Sequence, residues 1–541
     1  MARALGPIEA GELAGLAPVA DGAGWRYRFE QDERGARILE SWSAPGAASP
    51  SPERSVPLAF AIGAGILDRS YAAREGELLA FAPLEVVTEG AERVAALAPG
   101  NTIQPGLRFA NPIAEECLAG HTDALPPRDY PLDLRPPGTW HARGISCEAC
   151  HPGSEAHASW REREEGEGEG SDPLASTGGG AIESVSACAR CHLQGDASVL
   201  LEPGARGLVA PGGDLLEKRA VFVAATPTED VGFVSHVERL VLSPCFARSL
   251  GASRELACTT CHDPHRSAFD PAESRRVRDG CLACHPPGTS AASDRSAPCA
   301  LPLAERGGSD CVACHMRKTG VFDVAEVEIH DHWIRVRPGP PSAAKPLRVK
   351  ESLDGRIAPF AWPTRPKPAW HDDPGLWTIA YASVGRVDLA LAKAQEKPGR
   401  FASALATYHH QRGSLLERAP SGKDAVPAYE RALALDPGQV ESAVNLGALL
   451  ARQRRPKEGI ALLDALIAKH PFAEGAMRNR ALLALQLGDA ERFARDLEAA
   501  HAVRPQAPLA RALAQHWTQR GRKDLAAKWE AEARRLDPSK P

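Results

Sequence analysis

The sequence predicts a multidomain chain. A β-rich N-terminal part precedes a central region of irregular and α structure cored by a prosthetic group, and an all-α repeat solenoid ends the chain. Three observations predict this. Aromatic and apolar residues alternate near the N-terminus. All 13 cysteines lie between positions 117 and 314, ten of them as five tight pairs. Helix-ending prolines recur evenly after position 436.

The chain has 541 residues, room for roughly three or four domains of about 150 residues each. Hydrophobic residues make up 43%, enough for globular structure, but aromatics make up only 5%, thin for large cores. Net charge is -5 with no long basic run, so no nucleic-acid partner is expected. The acidic string "WREREEGEGEG" (160–170) reads as a solvated loop. No run approaches the ~20 apolar residues of a membrane span. The best, "VPLAFAIGAGIL" (56–67), is too short and holds two glycines. The N-terminus lacks the apolar core of a secretory signal.

Residues 1–110 form the β-rich region. In "GWRYRFEQDERGARILESW" (24–42), Trp25, Tyr27 and Phe29 alternate, "DERG" supplies a turn, and Ile38 and Leu39 mark a second run. That pattern is a hairpin. "AREGELLAFAPLEVV" continues as strand.

Residues 111–335 carry the chemistry. Five segments repeat one pattern: "CEACH" (147–151), "CARCH" (188–192), "CTTCH" (258–262), "CLACH" (281–285) and "CVACH" (311–315). This is the attachment signature of c-type haem. In each, two thiols add to the two vinyl groups of one porphyrin edge: Cys147 and Cys150, Cys188 and Cys191, Cys258 and Cys261, Cys281 and Cys284, Cys311 and Cys314. The next residue then falls beneath the iron as axial ligand: His151, His192, His262, His285 and His315. Zinc sites use separated ligand pairs with no required histidine after the second cysteine. A thioredoxin-like dithiol would occur once. Roughly 170 residues hold all five motifs, so the porphyrins themselves are expected to form the core, close enough for electrons to pass between them.

Second axial ligands are expected from His157, His236, His265 and His332; His141 and His330 read as ordinary histidines. His265 ends "CTTCHDPH". It is too near His262 to wrap round the same ring, but it can reach a neighbouring iron. "CLAGH" (117–121) has glycine where the second cysteine belongs. It is either a sixth haem site, held by Cys117 with His121 as ligand, or a lost one. Five haems are expected, six if that site is filled. Cys245 and Cys299 fit no motif and read as buried free thiols.

Residues 336–372 are Pro-rich and read as a linker. Residues 373–541 turn Ala/Leu-rich. Pro437, Pro471, Pro505 and Pro538 recur at intervals of 34, 34 and 33, the tetratricopeptide (TPR) period. Each unit is then a helix pair that buries its apolar face by stacking on the next.

The order of these features resembles a family of bacterial multihaem c-type cytochromes with C-terminal TPR repeats, distantly similar to hydroxylamine-oxidoreductase-type cytochromes. The shared strings include "GISCEACHPGSEAH", "CARCHLQG", "SPCFARS", "LACTTCHDPH", "CVACHMRK" and "DHWI". The resemblance implies export to the periplasm or beyond, where haem is attached, and so a natural start upstream of Met1. Family members usually carry a complete motif where this chain has "CLAGH", and one more motif upstream. The expected function is electron transfer through closely spaced haems, with the TPR groove docking a redox partner. The alternatives are a multihaem oxidoreductase acting on a small nitrogen or sulfur compound at an open-site haem, and a TPR scaffold with purely structural haems.

Overall fold

The structure is a computed structural model that describes residues 5–44, 50–65, 68–76, 78–89, 92–111, 113, 121–122, 144–151, 153–162, 179–202, 213–266, 270–285, 311–324, 327–343, 356–418 and 425–539. Its contacts divide the chain into two compact units. One is built on Ile145–Ala402, the other on Arg3–Gly144 together with Ser403–Pro541. This division differs from a split at positions 110, 335 and 372.

In the second unit, an eight-stranded antiparallel sheet takes up the N-terminal residues. Strands Val19–Ala20, Trp25–Asp32, Gly35–Trp42, Arg54–Ile62, Asp68–Glu75, Leu78–Glu89 and Glu92–Leu97 follow one another in sequence order, and Leu5–Gly6 pairs with Arg54–Ile62. The expected hairpin is present, with Trp25 opposite Trp42 and Asp32 opposite Gly35. Gly35 turns it at φ 111°, a backbone region open to glycine. Trp25, Tyr27 and Phe29 are buried while Arg26 between them is exposed, as a two-residue period demands. The Phe29 ring meets Tyr71 edge to face at 5.3 Å. Among the buried charges, Glu40 accepts from Arg54 and Arg108, and the Arg108 guanidinium lies 3.8 Å from the Trp25 ring centre.

The C-terminal residues of the same unit are helical. Helices starting at Val440, Glu474 and Ala507 alternate with helices starting at Pro456, Ala490 and Lys523, spacings of 34 and 33 in both series. Their shared core includes Leu463, Leu466, Leu483, Leu497 and Leu513. Gly447 lets two helices meet, since a Cβ there would lie 3.0 Å from the Leu463 side chain. Arg108 donates to the Leu536 carbonyl at 2.8 Å, tying the last helix to the N-terminal residues.

The first unit holds the five cysteine pairs. Its three-stranded sheet runs Ile357–Pro359, Arg219–Ala224, Ala197–Leu200. The Pro-rich stretch thus supplies an edge strand, and Trp370 donates to the Leu216 carbonyl at 2.7 Å. Helices Pro374–Ser383 and Val387–Ala394 belong to this unit too. Trp377 packs 5.0 Å from Phe222. Apolar burial is uneven. Between Phe246 and Val321, no hydrophobic side chain among the described residues is buried, and three of the five motifs lie in that interval. Among the described residues, no helix is long and apolar enough to cross a membrane.

Candidate haem-binding site

Each cysteine pair sits on a helical turn. Cys147–Ala149 is a 3-10 turn, Cys188 to His192 close the helix Ala181–His192, Cys258–Cys261 is a single turn, Cys281 and Cys284 end Pro271–Cys284, and Cys311–His315 is a short helix. In three of them the histidine N–H donates to the carbonyl of the first cysteine: His151 to Cys147, His262 to Cys258 and His285 to Cys281, at 2.8, 2.9 and 2.8 Å. This hydrogen bond holds two sulfurs and an imidazole on one short stretch of backbone. The long helix is started by Asp270, whose carboxylate accepts from the Ala272 N–H at 2.8 Å, an N-cap.

The motifs adjoin one another in series. Cys191 lies within electrostatic reach of Cys150. The Cys188 and Cys258 thiols are close enough to perturb one another. Cys261 neighbours Cys284 and Cys245, and Cys281 neighbours Cys311. Burial, with cysteine neighbours adding to it, pushes the Cys281 thiol up to about 12. Cys147, Cys150, Cys284 and Cys314 are exposed, and the other six motif cysteines are half-buried. Cys245, expected to be buried, is also half-buried beside the third and fourth motifs; with so little apolar packing there, nothing covers it fully. Those two motifs touch at Gly280, where a Cβ would lie 2.8 Å from the Thr260 carbonyl oxygen and 3.0 Å from the Cys261 sulfur. A cleft of about 670 Å³ opens between them, lined by Arg254, Thr260, Arg275, Arg276, Asp279 and Gly280 among others.

Three of the four expected second ligands come to the motif histidines. His265 faces His151 with ring centres 6.2 Å apart and planes 16° apart. His332 faces His262 at 6.1 Å and 32°. His236 touches both His192, at 5.0 Å, and His332, at 4.6 Å, nearly perpendicular to the first. His157 lies instead on Trp160 of its own helix, with centres 6.3 Å apart. His330 is exposed. His315 donates from Nδ1 to the Arg335 carbonyl at 3.0 Å. His121 belongs to the other unit, near Asp68; Cys117, His141 and Cys299 lie outside the described residues.

Burial drives the imidazoles toward the neutral form. His236 falls to about 2 and His332 to about 4, desolvation first and neighbouring histidines after it. Half-buried His262 is lowered for the same leading reason, while His192 stands exposed. A neutral ring is the form that binds iron.

The segments bearing His236 and His332 are held by a polar clamp that the sequence reading missed. Arg239, on the helix His236–Leu240, makes a bidentate ion pair with Asp331 at 2.8 and 2.5 Å. Asp331 is wholly buried. Ser243 donates to the His332 carbonyl at 2.9 Å and accepts from the Ile334 N–H at 2.8 Å. Arg239 and Arg335 flank the Trp333 ring at 4.9 and 4.2 Å. The signal was present in "SPCFARS" and "DHWI": the two strings pack on each other, Ser243 of one against His332 and Ile334 of the other.

The residues fit haem. The cysteine pairs and following histidines stand on single turns, and arginines line the cleft between two motifs, where they can pair with porphyrin carboxylates. One ring nitrogen, His151 Nδ1, is buried with no hydrogen-bond partner among the described residues, which a buried polar atom rarely tolerates. Among the described residues, no group of three or more His, Cys, Asp or Glu side chains is placed to hold a metal ion by itself.

A family model described as "Doubled CXXCH motif" matches residues 251–290, the stretch that carries the third and fourth motifs. The match supports covalently bound haem c of the multihaem c-type cytochrome kind at these two motifs. No curated protein matches the chain. Among solved structures, MamA from Desulfovibrio magneticus RS-1 is 19% identical, covering 32% of this chain and 99% of its own, with a TM-score of 0.29. MamA of AMB-1 is 20% identical, covering 31% and 98%, with a TM-score of 0.28. TM-scores this low assign no fold.

Proposed function

We propose that this chain is a five-haem c-type cytochrome that carries electrons through a row of covalent haems, with the C-terminal helices forming a TPR array that docks a redox partner. The observation that carries it is the contact between successive motifs: Arg190 of the second donates to the Ala149 carbonyl of the first at 3.3 Å, and the fourth meets the third where Gly280 packs on Thr260 and Cys261. Bound haem supplies a reversible one-electron iron couple. The chain's own residues do the rest. The cysteines fix each porphyrin edge, the motif histidines hold one axial position, and the clamp at Arg239 and Asp331 fixes the elements bearing His236 and His332. The helix spacings of 34 and 33 support the TPR reading, and TPR arrays are binding surfaces. The finer likeness to hydroxylamine-oxidoreductase-type cytochromes rests on the strings that flank the motifs. Export follows from the chemistry, because haem is attached to such motifs outside the cytoplasm.

Intact mass of the full chain, matured by a cytochrome c assembly system, tests the reading. Five haem additions are expected, six if Cys117 holds one; a haem-free protein would overturn it. Spectra then divide function: uniformly low-spin iron supports electron transfer, and a high-spin component that binds nitrite or hydroxylamine supports the oxidoreductase instead.

A further inference from the structure

Resting on the cytochrome reading, we infer that His265 is the second axial ligand of the haem attached at Cys147 and Cys150, and His332 that of the haem attached at Cys258 and Cys261. Two imidazoles on opposite faces of one iron have a predictable spacing. A metal–nitrogen bond of about 2 Å on each side, plus about 1 Å from nitrogen to ring centre, puts the ring centres about 6 Å apart. His151 and His265 stand at 6.2 Å, His262 and His332 at 6.1 Å. His236 does not meet this spacing. Its centre lies 5.0 Å from that of His192, and the two Nδ1 atoms are 3.4 Å apart, too close for an iron between them.

The surrounding hydrogen bonds point the same way. Metal-bound histidines usually give their other ring N–H to a carboxylate or carbonyl. His332 gives Nδ1–H to the His330 carbonyl at 3.0 Å, leaving Nε2. His265 has Nδ1 3.5 Å from the Asp263 carboxylate, which also accepts its backbone N–H at 3.0 Å. The Asp263 backbone N–H donates to buried Glu273 at 3.0 Å, so the "CHDPH" turn is anchored. It carries His262 toward one haem and His265 toward another. One short segment therefore links the first and third attachment sites, a connection the spacing of 111 residues between those motifs does not suggest.

The test uses full-length matured protein. In His265→Ala and in His332→Ala, intact mass is expected to show the wild-type haem count, because the histidines are not the covalent tether. Low-temperature EPR is expected to show one iron converted from low to high spin in each variant. The controls His330→Ala and His410→Ala, the latter in the helix Ala406–Arg418, are expected to leave the spectrum unchanged. Where an alanine variant fails to mature, His265→Met and His332→Met carry the test. Each should keep a low-spin iron and raise the potential of one haem, as methionine ligation does. Unchanged spectra and potentials in the His265 and His332 variants, or equal changes in the controls, would overturn the assignment. A wild-type chain without covalent haem would instead sink the underlying reading.

Discussion

Asp331 is wholly buried yet charged, and its partner Arg239 is almost as deeply placed. Removing one member of a buried pair strands the other, at a cost of about 3–5 kcal/mol. Asp331→Asn should therefore lower the denaturant midpoint of the holoprotein by an amount in that range. A change below about 1 kcal/mol would mean the clamp is structurally idle. A second buried carboxyl, Glu85 in the N-terminal sheet, is raised to about 8 by desolvation and then by neighbouring Asp68. Its folded value lies above the unfolded one, so the folded state holds a proton that the unfolded chain has released. Stability conferred below pH ~4.5 is thus lost as pH climbs to ~8, by roughly 3–5 kcal/mol. Glu85→Gln should flatten that slope and stabilise the protein at pH 8 while changing little near pH 4. Parallel stability–pH curves for the two proteins would refute this.

At the scale of elements, the third and fourth motifs meet because Gly280 has no side chain. Alanine would gain about 1 kcal/mol of helix propensity, but a Cβ 2.8 Å from the Thr260 carbonyl forces the two motifs apart, typically costing about 1–3 kcal/mol. Gly280→Ala is expected to lower the melting temperature of the holoprotein and to leave a fraction of chains one haem short. A full haem complement with unchanged melting would show that the contact is loose. Element by element, the hairpin at residues 25–42 was legible in the alternation of Trp25, Tyr27 and Phe29, and the helical pairs in the proline spacing. The edge strand Ile357–Pro359 was not. Its prolines read as linker, and only pairing with Arg219–Ala224 makes it a strand.

On the scale of the whole molecule, the unit holding the sheet and the C-terminal helices has apolar cores of its own, whereas the stretch from Phe246 to Val321 has none among its described residues. Protein made without haem attachment should therefore be cut by protease first within that stretch. The fragments bearing residues 5–111 and 425–539 should then elute together, held by contacts such as Arg108 to Leu536. Separate elution, or cleavage spread evenly along the chain, would contradict this. In matured protein the same stretch should resist digestion.

The sequence by itself determined the chemistry. Thioether attachment needs two thiols and a histidine at fixed local spacing, so all five candidate sites could be read from residues one to four positions apart. It likewise determined the repeat period, which is also a local property. Only the tertiary structure decided which motif adjoins which, that His265 faces His151 and His332 faces His262, and that Arg239 and Asp331 join the segments bearing His236 and His332. Those pairings join residues far apart in the chain. Their partners are chosen by how separate turns pack, and no local spacing encodes that.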